Sequence, residues 1–413
     1  MELRDSGRTI SFLSRIVFQV PSIAVSTITM IAISRNLGPT GRGEISKFLL
    51  LAALASSILC TPIFLTIMNM GESSEIKAFV SRSLFLPSRT NLATILLIDL
   101  YLFSFNHAKT SELNLTLIVY TNLLILSYFI SAQIRDLLLR FHRNKIYGVD
   151  FVVQLLISGP ILVLLLSHSL SVLKVVEIFT LAYGISALYL LFVLKSRVSQ
   201  FSFSNLVKRN KLPFPSSQNS AFGKGFSKTG LLFQVVLSKD LLFGVLLLGK
   251  SDFGLMSALT SFWVVIRFLR PSAVVQAKIG KSDLASSSPM RKSSRFIVKP
   301  HSIIYLQSAL IVIMGLLGFF LTPILMGRGF RPGILMTFAG LSAEILLMKC
   351  LYSLSTSPLE FSQKLFARSC VLQILILGVF KLAHIDVSIT LIWLSSCFVY
   401  VTWQILSFSK GEK

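Results

Sequence analysis

Residues 10–46 read ISFLSRIVFQVPSIAVSTITMIAISRNLGPTGRGEIS. The first two dozen positions are almost wholly apolar, with Arg15 as the one charge, and then the chain turns through Gly38, Pro39, Gly41 and Gly43 before a second apolar run begins. About twenty continuous apolar residues is the length a helix needs to cross a bilayer. A soluble helix would show polar residues on one face instead. The segment therefore predicts a membrane-spanning hairpin: helix, outward turn, helix.

The rest of the chain repeats that pattern. Of its 413 residues, 53% are apolar and 14% charged, against about 25% charged in an ordinary soluble domain. Mean hydropathy is +0.75. These values exclude a cytosolic enzyme, a disordered protein and a secreted disulfide scaffold. The sequence predicts twelve spans, at 10–33, 44–69, 86–106, 114–134, 148–166, 172–194, 229–248, 254–277, 302–325, 333–354, 366–383 and 387–408. Inside lipid every backbone polar group must be satisfied internally, so runs this long read as helices.

Lys and Arg number 40 against 17 Asp and Glu. With a cytoplasmic N-terminus, the outward segments hold only Arg35, Arg42, Lys47, Lys109, Lys174, Lys250, Arg328, Arg331 and Lys381. Most other basic residues fall in inward segments. Basic loops stay in the cytoplasm, so both termini are predicted there, and the net charge of +23 needs no nucleic-acid partner. The longest non-apolar stretch, 195–228, is basic and rich in Ser, Gly and Pro. It divides the chain into a six-helix lobe (1–194), a cytoplasmic linker (195–228) and a second six-helix lobe (229–413). Outward loops are short and hold no catalytic domain. The apolar run that follows Met1–Thr9 lacks a small-residue cleavage site and reads as an uncleaved first span.

The halves share a signature. LGPTGRGEIS (37–46) and LGKSDFGLMS (248–257) align without gaps at Leu37/Leu248, Gly38/Gly249, Gly43/Gly254 and Ser46/Ser257. Both follow the first helix of their half, as expected for parallel repeats related by an axis along the membrane normal. Two similar helix-capping turns are the plainer reading.

SRNLGPTGRGEIS resembles the R-x-L-G-P-x-x-x-G turn of the Wzx-type polysaccharide flippases, of the multidrug/oligosaccharidyl-lipid/polysaccharide (MOP) exporter superfamily. Residues 237–283, opening LSKDLLFGVLLLGKSDFG, and LTPILMGRGFRP at 321–332 are similar to that family's second-half opening and ninth-helix exit. Lys239 stands where Arg is more usual, and Glu44 and Leu255 replace the common aromatic. The resemblance implies an all-α, MATE-like fold of twelve transmembrane helices in two six-helix lobes around a central cavity. It also implies a transporter of lipid-linked oligosaccharide in a bacterial cytoplasmic membrane, with membrane lipids and other polysaccharide-assembly proteins as partners, and no cofactor.

Charges within spans are costly, from about 2.5 kcal/mol at a helix centre, and are functional candidates by default. With the loop charges removed, five cationic residues remain within spans: Arg15, Lys239, Arg267, Arg270 and Lys349. In a cavity they would bind pyrophosphate, since guanidinium forks take phosphate oxygens bidentately; near the headgroups they would simply snorkel. Three are acidic, Asp99, Asp240 and Glu344, and are candidates for proton or sodium coupling, although Asp240 reads equally as the counter-charge of Lys239. Gly38, Pro39, Gly43, Gly249 and Gly254 are the structural turn residues. Pro21, Pro62, Pro160, Pro271 and Pro323 interrupt spans and predict kinks.

No P-loop, HExxH, serine-hydrolase or metal-ligand spacing occurs, and the four cysteines lie in apolar runs, so no metal site and no enzyme activity is expected. Two other readings stay open: a drug or cation antiporter of the same architecture, with an acidic or neutral cavity, and an integral-membrane glycosyltransferase or polymerase using outward acids. A lipid II-type flippase would share the site.

Overall fold

The computed structural model describes residues 2–69, 111–141, 147–197, 239–267, 300–356, 359–383 and 385–411. The expected span 86–106, the linker from 198 onward and the inward loop 278–299 lie outside the described residues.

The described residues are helical throughout, with short connections. In chain order they are α1 (Glu2–Asn69), α2 (Ser111–Phe141), α3 (Tyr147–Leu166), α4 (Val172–Arg197), α5 (239–247), α6 (Lys250–Arg267), α7 (Pro300–Met326), α8 (Ile334–Thr356), α9 (Leu359–Leu382) and α10 (Ile389–Gly411). The first two expected spans are the two arms of α1, which is broken at Gly38 (φ 69°, ψ −175°). That left-handed φ is open to glycine and costly for a residue with a Cβ. Pro39, with its fixed φ and missing N–H, is suited to the first position of a helix. The second arm therefore starts at Pro39, not at residue 44 as the hydropathy pattern places it, and Arg42 lies in its first turn.

Two compact units emerge: Met1–Leu37 with Ile45–Val235, and Gly38–Glu44 with Val236–Lys413. In unit 1, α4 packs on α2 and α3. Its core joins Ile33, Ile45 and Ala52 of α1 to Leu124 and Phe129 of α2, Ile157 of α3 and Val175 and Phe179 of α4. Polar residues in this core bond back to their own helix, Thr121 Oγ1 to the Leu117 carbonyl at 2.7 Å and Thr180 Oγ1 to that of Val176 at 2.8 Å. Thr180 Oγ1 also lies 3.2 Å from the Tyr120 carbonyl and so ties α4 to α2.

In unit 2, α10 packs on α8 and α9, and α7 on α6 and α8. Its largest fully buried side chains are Trp393, Trp403, Tyr400 and Phe330.

The outer faces are apolar too. On α4, Leu181, Ile185, Leu188, Tyr189 and Phe192 form an exposed stripe at helical spacing, opposite buried Val175, Val176, Phe179 and Ala182. A helix that is apolar all round belongs in a hydrocarbon solvent. Gly148–Leu166 and Val172–Val193 are each long and apolar enough to cross a bilayer, and α9 and α10 carry further exposed apolar stripes. The chain is a multi-pass membrane protein by this distribution: hydrocarbon outside, polar groups within.

Candidate functional site

Two polar sites are built inside unit 2. The first centres on Lys239, which is only 3% exposed. Its ammonium meets three acceptors: Asp240 Oδ1 at 3.1 Å, Gln373 Oε1 at 2.5 Å and Ser396 Oγ at 2.9 Å. It also lies 4.4 Å from the centroid of the Tyr400 ring, within range of a cation–π attraction. An ammonium has three protons, and here each has an oxygen.

Three helices supply the shell. Asp240 follows Lys239 on α5, Gln373 comes from α9, and Ser395, Ser396 and Tyr400 come from α10. Gln373 Nε2 donates to Ser395 Oγ at 3.0 Å and to Ser396 Oγ at 2.7 Å. The Ser396 hydroxyl, accepting from Lys239 and Gln373, has its proton for Asp240 Oδ1 at 2.5 Å or the Ile392 carbonyl at 3.1 Å. One donor and two acceptor positions are all a serine has, so the network closes on itself. Asp240 keeps 20% of its side chain exposed and is the network's edge toward solvent. Chemically the arrangement holds an ammonium in the interior with a carboxylate beside it.

The second site is the turn. A Cβ on Gly43 would strike the Lys250 carbonyl, and one on Gly254 the Pro39 carbonyl. Positions 39 and 250 correspond in the sequence repeat, as do 43 and 254, so the contact is reciprocal. Each glycine faces the backbone of the residue that opens the other helix, and only a hydrogen in place of a side chain allows that approach. Pro39 also packs against Gly329, in the connection between α7 and α8. Lys250, 63% exposed, pairs with Glu44 at the rim.

Beneath the rim lies Arg42, 3% exposed. Its Nε donates to Ser257 Oγ at 3.2 Å and its Nη2 to Ser261 Oγ at 2.7 Å. The sequence counts Arg42 among the outward loop charges; the structure buries it, because the helix restarts at Pro39 and turns that side chain onto α6.

Lys239 and Asp240 are brought together; Gly38, Pro39, Gly43, Gly249 and Gly254 sit at or beside the two helix starts. Glu344 is buried in α8, and Lys349, on the same helix, is exposed. Arg15 lies in α1 and Arg267 ends α6. Asp99 and Arg270 lie outside the described residues. Arg42, Gln373, Ser395, Ser396 and Tyr400 are site residues that sequence reading did not select. Among the described residues no group of three His, Cys, Asp or Glu side chains assembles for a metal.

No family model matches the chain, and no curated protein matches it. Solved structures similar to it include the outward-facing conformation of a multidrug resistance MATE family transporter of the MOP superfamily, at 11% identity over 98% of this chain and 92% of that one (TM-score 0.43). The MATE transporter ClbM in complex with Rb+ is similar at 12% identity with the same coverages (TM-score 0.45). So is a MOP superfamily transporter from Pyrococcus furiosus, at 11% identity over 98% and 92% (TM-score 0.45).

Proposed function

We propose that this chain is a membrane transporter that flips a polyprenyl-pyrophosphate-linked oligosaccharide from the inner to the outer leaflet of the cytoplasmic membrane, for surface polysaccharide assembly. The observation that carries the reading is the buried Lys239 ammonium. A charge inside a lipid-embedded helical unit costs several kcal/mol unless it is partnered and used, and three helices contribute side chains to hold this one.

The cargo follows from the sign of the internal charges. Arg15, Lys239, Arg267, Arg270 and Lys349 outnumber Asp99, Asp240 and Glu344, and a cationic path suits a pyrophosphate headgroup. In this reading the lobes 1–194 and 229–413 alternate about a central cavity, with the lipid tail left in the bilayer. The Lys239–Asp240 pair couples the motion to an ion or to membrane potential. No covalent bond is made or broken, so no enzyme activity is invoked. A drug or cation antiporter of the same architecture is the second reading, favoured by the burial of acidic Glu344.

The test is thiol accessibility. Cysteines placed at positions 15, 267 and 270 in a Cys-free background are labelled with an impermeant reagent in inverted vesicles. Labelling that a polyprenyl-pyrophosphate oligosaccharide blocks is the expected result. Inert positions, or labelling indifferent to the lipid, would return these cations to the headgroup region and remove the reading.

A further inference from the structure

Arg42 uses only part of its hydrogen-bonding capacity. Nε and Nη2 are taken by Ser257 and Ser261, but Nη1 is buried with no acceptor. Neither serine brings a negative charge, and Glu44, two residues on, pairs with Lys250. Buried donors are partnered as a rule. A guanidinium stays charged, and leaving one of its donors unmet in the interior costs more than a neutral group would.

The surroundings all favour an anion. Arg42 stands in the first turn of the helix that restarts at Pro39, and the facing helix α6 begins at Lys250. Two helix N-termini meet through Gly43 and Gly254, and the restarted helix brings the positive end of its dipole to Arg42 in its first turn. Ser257 and Ser261 are four apart, on one face of α6. Their hydroxyl protons now go to their own helix, Ser257 to the Gly254 carbonyl at 3.1 Å and Ser261 to the Ser257 carbonyl at 2.8 Å. A hydroxyl can turn its proton toward a stronger acceptor.

We propose that Arg42, Ser257 and Ser261 form a binding site for a phosphate-class oxyanion, with Arg42 Nη1 taking one oxygen and the serine hydroxyls donating to the others. In this structure Nη1 is covered, so the anion enters by rotation of the Arg42 side chain away from its present seat. The oxyanion is either the pyrophosphate of a lipid-linked glycan or free inorganic phosphate or pyrophosphate, since the fork recognises the same oxygens in each. Only the lipid source rests on the flippase reading; the anion site stands apart from it.

The experiment titrates inorganic pyrophosphate into the full-length protein in nanodiscs, reading heat of binding and thermal midpoint. Wild-type protein is expected to bind. Arg42→Gln should weaken binding by at least about tenfold, as the loss of a charged hydrogen bond implies. Arg42→Lys, which keeps the charge and loses the fork, should fall between. Ser261→Ala, which spares the guanidinium, should weaken it by about threefold or more and carries the test if Arg42→Gln does not fold. No pyrophosphate binding by the wild type at millimolar concentration overturns the proposal, as does wild-type affinity in both Arg42→Gln and Ser261→Ala.

Competition by a polyprenyl-pyrophosphate lipid, and not by the free polyprenol, assigns the site to the headgroup. Tight pyrophosphate binding without such competition assigns it to the free anion. Pyrophosphate binding through Arg42 in a protein that moves no lipid would keep the anion site and discard the flippase.

Discussion

Lys239 and Arg42 are both 3% exposed within the same unit, yet their surroundings differ in kind. Lys239 has a carboxylate beside it, an oxygen for every proton and an aromatic face. Arg42 has two hydroxyls, no carboxylate of its own and an unanswered nitrogen. A closed network fixes helices and holds a charge in place. An open one waits for a partner. The contrast separates a cation whose every proton is answered from one with a donor to spare.

The largest effect expected from breaking this contrast is at Lys239. Replacing it with Met strands Asp240 and should cost about 3–5 kcal/mol in thermal unfolding of the solubilised protein. The double variant Lys239→Met with Asp240→Asn should regain much of that. Arg42→Gln, by contrast, orphans no carboxylate and should cost about 1 kcal/mol or less. Equal losses for Lys239→Met and Arg42→Gln would mean that the difference in partnering has no energetic content.

Next in size are the glycines. Alanine at Gly43 or Gly254 places a methyl against the Lys250 or Pro39 carbonyl and should cost about 1–3 kcal/mol, as overpacking does. Because the two residues share one contact, the double variant should cost less than the sum. Strict additivity would show that they do not form a single reciprocal crossing.

Smaller still is Ser396→Ala. It removes an acceptor from Lys239 and Gln373 and a donor from Asp240, for about 1–3 kcal/mol. A cost within about 0.5 kcal/mol of zero, as for an ordinary surface substitution, would argue that the network is slack. The smallest effect belongs to Glu44→Gln. Its partner Lys250 is 63% exposed, and exposed pairs contribute about 0–1 kcal/mol.

The helices, their apolar exteriors and the pairing of Lys239 with Asp240 were legible in the sequence, because hydropathy and the cost of intramembrane charge act locally. The repeat also pointed to the right glycines. It gave correspondence between Gly43 and Gly254 but not their contact, which exists only in three dimensions. Gln373, Ser395 and Ser396 carried no signal, since uncharged polar residues are ordinary in such spans. Arg42 misled: GPTGRG looks like an exposed loop, and nothing in its composition reveals that Pro39 has already begun a helix.

The central claim is that the internal cations serve an anionic lipid headgroup. It is tested most directly by reconstituting the purified protein into liposomes with a fluorescent polyprenyl-pyrophosphate oligosaccharide and following its transfer between leaflets with an impermeant quencher. The account predicts transfer well above protein-free vesicles for that lipid and none for an otherwise identical polyprenyl glycoside lacking phosphate. Equal movement of the two lipids, or movement of neither, would contradict it.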